Sequence, residues 1–171
     1  MPGGAILVTG AARRLGRAIA LDLAGAGWNV AVHYNGSADD AESCAAQARA
    51  KGVAAVALQA DLSREAETAT LVERAARALG PLTALVNSAS LFEEDDWQSA
   101  TRESWDAHVE TNLRAPLVLS QAFAAQLPGG QDGAIVNLID QRVLKPTPQF
   151  LSYSLSKAGL YWLTTTLAQG M

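Results

Sequence analysis

The chain has little of several things. Of its 171 residues one is cysteine, Cys44, and two are histidine, His33 and His108. A lone thiol cannot close an internal disulfide, which excludes a disulfide-stapled scaffold and suits a reducing, cytoplasmic setting. Two widely separated histidines and one cysteine offer no metal-ligand spacing, so no metal site is expected. Neither sign of charge dominates. The net charge is −4 and the pI about 5.1. An acidic chain gives no electrostatic reason to expect nucleic acid as a partner. Long apolar runs are missing too. The longest charge-free stretch, Ala115 to Gln131, is broken by Pro116, Gln121, Gln126 and Pro128, so no membrane span is expected. The start, MPGGAILVTG, has no basic region ahead of an apolar one, which argues against a signal peptide. There is no internal repeat and no low-complexity linker. The remainder, 49% hydrophobic, has the composition of one ordinary globular domain over residues 1–171.

What is present is an alternation of short apolar runs and helical patterns. Strands are expected at Ala5–Val8, Asn29–His33, Val53–Gln59, Ala84–Asn87 and Ala134–Ile139. Helices are expected at Arg14–Ala26, Asp39–Lys51, Glu65–Leu79, Ser99–Leu127 with a kink at Pro116, and Ser152–Gln169. Asp39, Asp40 and Glu42 at one end of the second helix, and Arg49 and Lys51 at the other, match the helix dipole. Ser63 resembles an N-cap for the third. Short, wholly apolar strands alternating with helices imply a doubly wound α/β fold, a parallel sheet covered on both faces. Ligands in such sheets sit beyond the carboxyl ends of the strands. Gly10, Asn35, Asp61, Asn87 and Asp140 each follow an expected strand there.

Thr9-Gly10-Ala11-Ala12-Arg13-Arg14-Leu15-Gly16 joins the first strand to the first helix. Glycine lets the backbone approach a pyrophosphate, and the helix amino end offers free N–H groups to it. The second strand ends in His33-Tyr34-Asn35-Gly36-Ser37 with no carboxylate. NAD enzymes usually carry one there for the ribose 2′-hydroxyl. Its absence, the donors Asn35 and Ser37, and the charge of Arg14 point to NADP(H). The plain alternative is that Asn35-Gly36 only forms a turn. Tyr153 and Lys157 stand four residues apart at the start of a helix, on one face. An ammonium beside a phenol lowers its pKa and prepares it for acid–base work.

TGxxxRxG, the Asn87-Ser88-Ala89-Ser90 segment, Asn112 and YxxxK together resemble the short-chain dehydrogenase/reductase family, over Ile6 to Gln169. Three features resemble its pteridine reductase branch: Arg14 in place of a glycine, the His33-Tyr34-x-x-Ser37 segment, and Asp140 where most members have serine. The resemblance implies a Rossmann-like fold. It implies that Tyr153 is the general acid, that Lys157 tunes it and holds the nicotinamide ribose, and that Asn112 organises a relay water. It places Gly10, Leu15, Gly16, Leu62 and Ser88 against the cofactor, Asp61 near adenine, and Asn87 and Ala89 along the adenosine ribose. Ser90 and Phe92 would contact the substrate, the ring stacking on Phe92; a plain core anchor is the alternative for Phe92. Asp140 lies 13 positions before Tyr153. An ionised carboxylate accepts but cannot donate, which favours reduction of C=N in an amino-heterocycle over a ketone; a solvent-facing loop Asp is the alternative.

The sequence departs from the family at Ser88 and Ser90, where Asn and Gly are usual, and at Gly36, where pteridine reductases often have Arg. Family members also run on through two further strands and a substrate-covering loop, so the chain is expected to be truncated before them, leaving an open sheet edge. Trp97, Trp105 and Trp162 read as packing residues. By resemblance the fourth and last helices pair in a homo-dimer or homo-tetramer. The expected activity is NADPH-dependent reduction of a dihydropterin or dihydrofolate. The alternatives are a carbonyl reductase, such as one for 3-oxoacyl thioesters, or a nucleotide-binding fragment without activity.

Overall fold

A computed structural model describes residues 3–170. Five strands, β1 (Ala5–Val8), β2 (Asn29–Tyr34), β3 (Ala55–Gln59), β4 (Leu82–Asn87) and β5 (Ala134–Asn137), form one sheet in the order β3-β2-β1-β4-β5. Every pairing is parallel. Helices α1 (Arg14–Gly25), α2 (Ala38–Arg49), α3 (Glu65–Leu79), α4 (Arg102–Val109), α5 (Ala115–Gln126) and α6 (Leu151–Gly170) connect and flank the strands.

Alternation along β1 makes the two cores. Ile6 and Val8 face one side, with Val30, Val32 and Val86, against the alanines of α1 and α2 and buried Cys44. Ala5 and Leu7 face the other, with Leu85, against Leu71 and Val72 of α3 and Leu119 and Phe123 of α5. Period-two side chains on a sheet covered on both faces require this division. The sheet order reverses between β1 and β4, so their carboxyl ends open a crevice. β5 is an edge strand, and its Val136 is 52% exposed.

Several expectations change. α3 runs over the expected residues, but Ser63 does not cap it. The N-cap is Arg64 with no side-chain bond, because the Ser63 hydroxyl donates to Asp61 Oδ1 at 2.7 Å instead. Ser99–Leu127 is not one regular helix. The helix begins at Arg102, capped by Thr101 in a reciprocal bond with Ser104. Its irregularity is a π-helical turn, Glu110–Arg114, just before Pro116. Proline has no N–H to give the preceding turn, and the wider turn absorbs the mismatch. Trp97, Trp105 and Trp162 are not core residues: Trp97 is 77% exposed and Trp162 70%, and Trp105 is at the exposed margin. Among the described residues no helix is long and apolar enough to cross a membrane, and no cluster of potential metal ligands occurs.

Candidate active site

A crevice of about 550 Å³ lies over the β1 and β4 ends. The glycine turn forms its floor. Gly10 has φ +64°, and a Cβ there would sit 2.8 Å from the Ala89 Cα. A Cβ on Gly16 would meet the Gly10 carbonyl oxygen at 2.3 Å. Arg14 holds φ +50°, a left-handed conformation that costs an L-residue about 1–2 kcal/mol and explains why glycine is usual there. The amino end of α1 carries no side-chain cap, so its first N–H groups face the crevice unmatched.

The turn is braced from below. Gly10 N–H donates to His33 Nδ1 at 3.1 Å. That leaves the ring hydrogen on Nε2, which donates to the Ala60 carbonyl at 3.0 Å. Burial holds the His33 pKa down at about 4, so the ring is neutral. His33 is 2% exposed. It supports the glycine turn from below and also borders the crevice. Thr9 Oγ1 accepts from both Ser88 N–H and Ala89 N–H at 3.0 Å, tying β4 to β1. Asn87 Nδ2 donates to Asn137 Oδ1 at 2.7 Å, while Asn87 Oδ1 is buried without a partner.

Leu15, Asn35, Asp61, Leu62, Ser90, Phe92 and Tyr153 also line the crevice. Asn35 is exposed at the β2 end, with Tyr34 and Ser37 half-buried beside it. Asp61 is committed to its own turn. Its Oδ1 accepts from Ser63, and those bonds outweigh burial to hold its pKa below the ordinary value. Asp40 lies across from the turn, with Arg13 Nε and Arg17 Nη1 donating to its carboxylate and carbonyl respectively.

Tyr153 Oη donates to Asp140 Oδ2 at 2.9 Å. Asp140 Oδ1 accepts from Arg142 N–H at 2.8 Å. Burial opposes ionisation of Asp140. The bonds from Arg142 and Tyr153 and the charges of Arg142 and Lys157 outweigh it and lower its pKa. Burial and the adjoining carboxylate raise the Tyr153 pKa, against an opposing pull from Arg142. Burial and Asp140, rather than Lys157, set the direction of this shift. Lys157 is buried, its Nζ donates to the Leu138 carbonyl at 2.9 Å, and it lies 5.9 Å from the Tyr153 ring centroid. Burial lowers its own pKa to about 8. Sequence spacing put both residues on one helix face but could not show which acceptor would take the amine.

Asn112 lies in the π-helical turn, fully buried. Its Oδ1 accepts from Leu91 N–H, and its Nδ2 donates to the Leu91 carbonyl and to Ser156 Oγ. The side chain is therefore used in clamping the loop after β4. Pro116 lacks an N–H, so a main-chain carbonyl at Thr111 or Asn112 loses its helical donor.

Three buried residues escaped the sequence reading: Asp95, His108 and Ser152. Asp95 accepts from Ser152 N–H and Oγ and from Ser104 Oγ. Its pKa is lowered because these bonds outweigh burial. His108 Nε2 accepts from Glu93 N–H, and Nδ1 lies 2.7 Å from Ser152 Oγ. The cluster joins the loop after β4 to the amino end of α6, one residue before Tyr153. Ser152 beside Tyr153 was the one available signal.

The short chain dehydrogenase family profile matches residues 4–171. A 3-oxoacyl-[acyl-carrier-protein] reductase of Staphylococcus epidermidis is 36% identical over 95% of this chain and 67% of its own. A solved structure of FolM alternative dihydrofolate reductase 1 from Brucella canis, complexed with NADP, superposes with a TM-score of 0.94 at 45% identity. It covers 98% of this chain and 68% of that one. A short chain dehydrogenase from Burkholderia cenocepacia in complex with NADP gives a TM-score of 0.94 at 37% identity, over 99% of this chain and 69% of that one. The chain thus spans about two thirds of the length of these relatives.

Proposed function

Since the chain belongs to the short-chain dehydrogenase/reductase family, we propose that it carries the cofactor and catalytic residues of an NADPH-dependent reductase for a dihydropterin or dihydrofolate-type ring. The observation that carries this reading is the 2.9 Å bond between Tyr153 and an ionised Asp140 at the mouth of the crevice.

The residues present fit a dinucleotide. The crevice has a cradle at Gly10 and Gly16 that a Cβ would fill, an uncapped helix end and an orphaned Asn87 Oδ1. In this reading Gly10, Leu15 and Gly16 hold the pyrophosphate, and Asn35, Ser37 and Arg14 take the 2′-phosphate. Asp61 and Leu62 bound the adenine, and Asn87, Ser88 and Ala89 follow the ribose. Asp40 is already bonded to Arg13, and no carboxylate stands in the His33–Ser37 segment at the β2 end to oppose that phosphate. The NADP complexes of the Brucella and Burkholderia proteins support the choice.

NADPH, when bound, supplies a hydride. The chain's own residues do the rest. Phe92 offers a flat apolar face to a planar ring. Asp140 accepts from a ring N–H or amino group. Tyr153 retains its proton at neutral pH and gives it to the reduced nitrogen, while Lys157 and Arg142 offset the negative charge left behind. A free main-chain carbonyl before Pro116 is the group that would hold a relay water.

A carbonyl reductase is the second reading, supported by the identity to 3-oxoacyl reductases. Asp140 weighs against it, because an ionised carboxylate cannot donate to a ketone oxygen. Steady-state assays of the full-length protein with dihydrobiopterin, dihydrofolate and a 3-oxoacyl thioester separate the two. Turnover of the thioester alone refutes the pterin reading. NADPH binding without oxidation by any of them supports a non-catalytic module. Tyr153→Phe is expected to lose about 10²- to 10⁴-fold in rate with NADPH affinity unchanged; undiminished turnover refutes its role. The exposed Leu155, Tyr161 and Trp162 of α6 and Trp105 of α4 support pairing of these helices in a homo-dimer or homo-tetramer.

A further inference from the structure

Arg142 stands two residues after Asp140, in the 3₁₀ turn Gln141–Val143. Its guanidinium flanks two stacked rings. Phe92 and Phe150 lie 4.3 Å apart and nearly parallel, and the Arg142 Cζ is 5.3 Å from one centroid and 4.8 Å from the other. One Nη lies 3.6 Å from Asp140 Oδ1. That is an ion pair, beyond hydrogen-bond distance. Only 22% of the side chain is exposed. Among the described residues the guanidinium donates no hydrogen bond, and its Nε is buried without a partner.

A guanidinium carries five N–H donors and keeps its charge at any physiological pH. Holding its Nε out of water without a partner is costly, and backbone strain lies nearby. Phe150, which walls one side, has φ +61°, a conformation that non-glycine residues adopt at a cost. A strained neighbour and an orphaned buried N–H beside a lining aromatic leave this guanidinium with room for an acceptor. The placement says where that acceptor lies. Tyr153 Oη, Asp140 and Arg142 follow one another through contacts of 2.9 and 3.6 Å, and Phe92 meets the Tyr153 ring edge at 4.7 Å between centroids. A planar substrate on Phe92 with its reacting bond at Tyr153 thus brings its own edge, not a distant tail, to the guanidinium.

We propose that Arg142 selects the substrate by donating hydrogen bonds to an oxo group on the edge of its heterocycle, beside the N–H or amino group that Asp140 accepts. The inference rests on the pterin-type reading above and deepens it by naming the residue that recognises the ring's oxo group. Asp140 and Arg142 together present an acceptor next to donors, the complement of an amino-oxo heterocycle. A diamino ring satisfies Asp140 equally well but sets an amino group against the Arg142 donors.

The test compares two probes on the full-length protein saturated with NADP⁺: a 2-amino-4-oxo-pteridine and the matching 2,4-diaminopteridine, with affinities from ligand fluorescence. The wild-type protein is expected to prefer the oxo ring. In Arg142→Met that preference falls by about ten- to hundred-fold, the worth of a hydrogen bond to a charged group. In Arg142→Lys, which keeps the charge and loses the planar fork, the preference falls part of the way. Binding is the readout because Arg142 also bears on Tyr153, so a rate loss common to all substrates would not distinguish the two roles. Equal wild-type affinity for both rings, no binding of either, or an unchanged preference in Arg142→Met overturns the proposal. Absence of dihydropterin turnover by a wild-type protein that shows the Arg142-dependent preference overturns the pterin reading and leaves this one standing.

Discussion

His33 makes stability and the cofactor turn depend on one proton. Its ring is buried, its Nδ1 accepts from the Gly10 N–H, and its Nε2–H donates to Ala60. Protonation turns Nδ1 into a donor facing another donor. Burial accordingly lowers the folded-state pKa from 6.5 to about 4. With a folded pKa below the unfolded one, the unfolded chain binds more protons between those values. Stability from this site is complete above about pH 6.5 and is lost as pH falls toward 4. Linkage puts the loss at about 2 kcal/mol between pH 7.5 and pH 5, and at about 3 kcal/mol once both states are protonated. Urea unfolding at a series of pH values, for the wild type and for His33→Gln, measures it. The variant will be less stable throughout, since the Gly10 N–H loses its partner, but its dependence on pH over this interval should be shallower by that amount. Histidine NMR shifts of the wild type should report a neutral His33 ring down to about pH 5. Parallel stability curves for the two proteins, or a ring that titrates near 6.5, would refute the account.

Gly10→Ala forces a left-handed alanine, with its Cβ 2.8 Å from the Ala89 Cα; a loss of at least about 1–2 kcal/mol in stability and about tenfold or more in NADPH affinity is expected from denaturation and fluorescence titration. Unchanged affinity would mean that the turn does not cradle the phosphates. Asp95→Asn leaves the Ser104 and Ser152 donors short of acceptors. It should cost about 1–3 kcal/mol and lower kcat, with KM for NADPH little changed, because Tyr153 is the next residue along the chain. A thermal scan with steady-state kinetics checks both, and a wild-type kcat would show that the cluster does not position Tyr153.

Local signals carried much of the site. The glycine turn was legible because few residues tolerate the Gly10 backbone, and the end of β2 because a carboxylate there would have been visible in the chain. Asp140 and Tyr153 were paired by family resemblance at a fixed separation, and the fold closes them to hydrogen-bond distance. The tryptophans misled, because bulk and apolarity look the same in sequence whether a residue packs or faces solvent. Pro116 was only partly informative. The missing N–H was foreseen, but where the helix takes up the mismatch depends on packing. A Cβ on Gly159 of α6 would sit 2.7 Å from a methyl of Leu113 in that turn, so the two segments approach closely.

The sequence alone determined the alternation of strands and helices, hence a parallel sheet with polar residues delivered to one rim. Periodicity and backbone permissiveness are properties of neighbouring residues. Only the tertiary structure decided the partners of each polar atom: Lys157 with the Leu138 carbonyl, Asn112 with Leu91, Asp95 with Ser152, and the Arg142 Nε with no acceptor among the described residues. Burial and hydrogen bonding between residues distant in the chain set protonation and direction, and spacing along the chain contains neither.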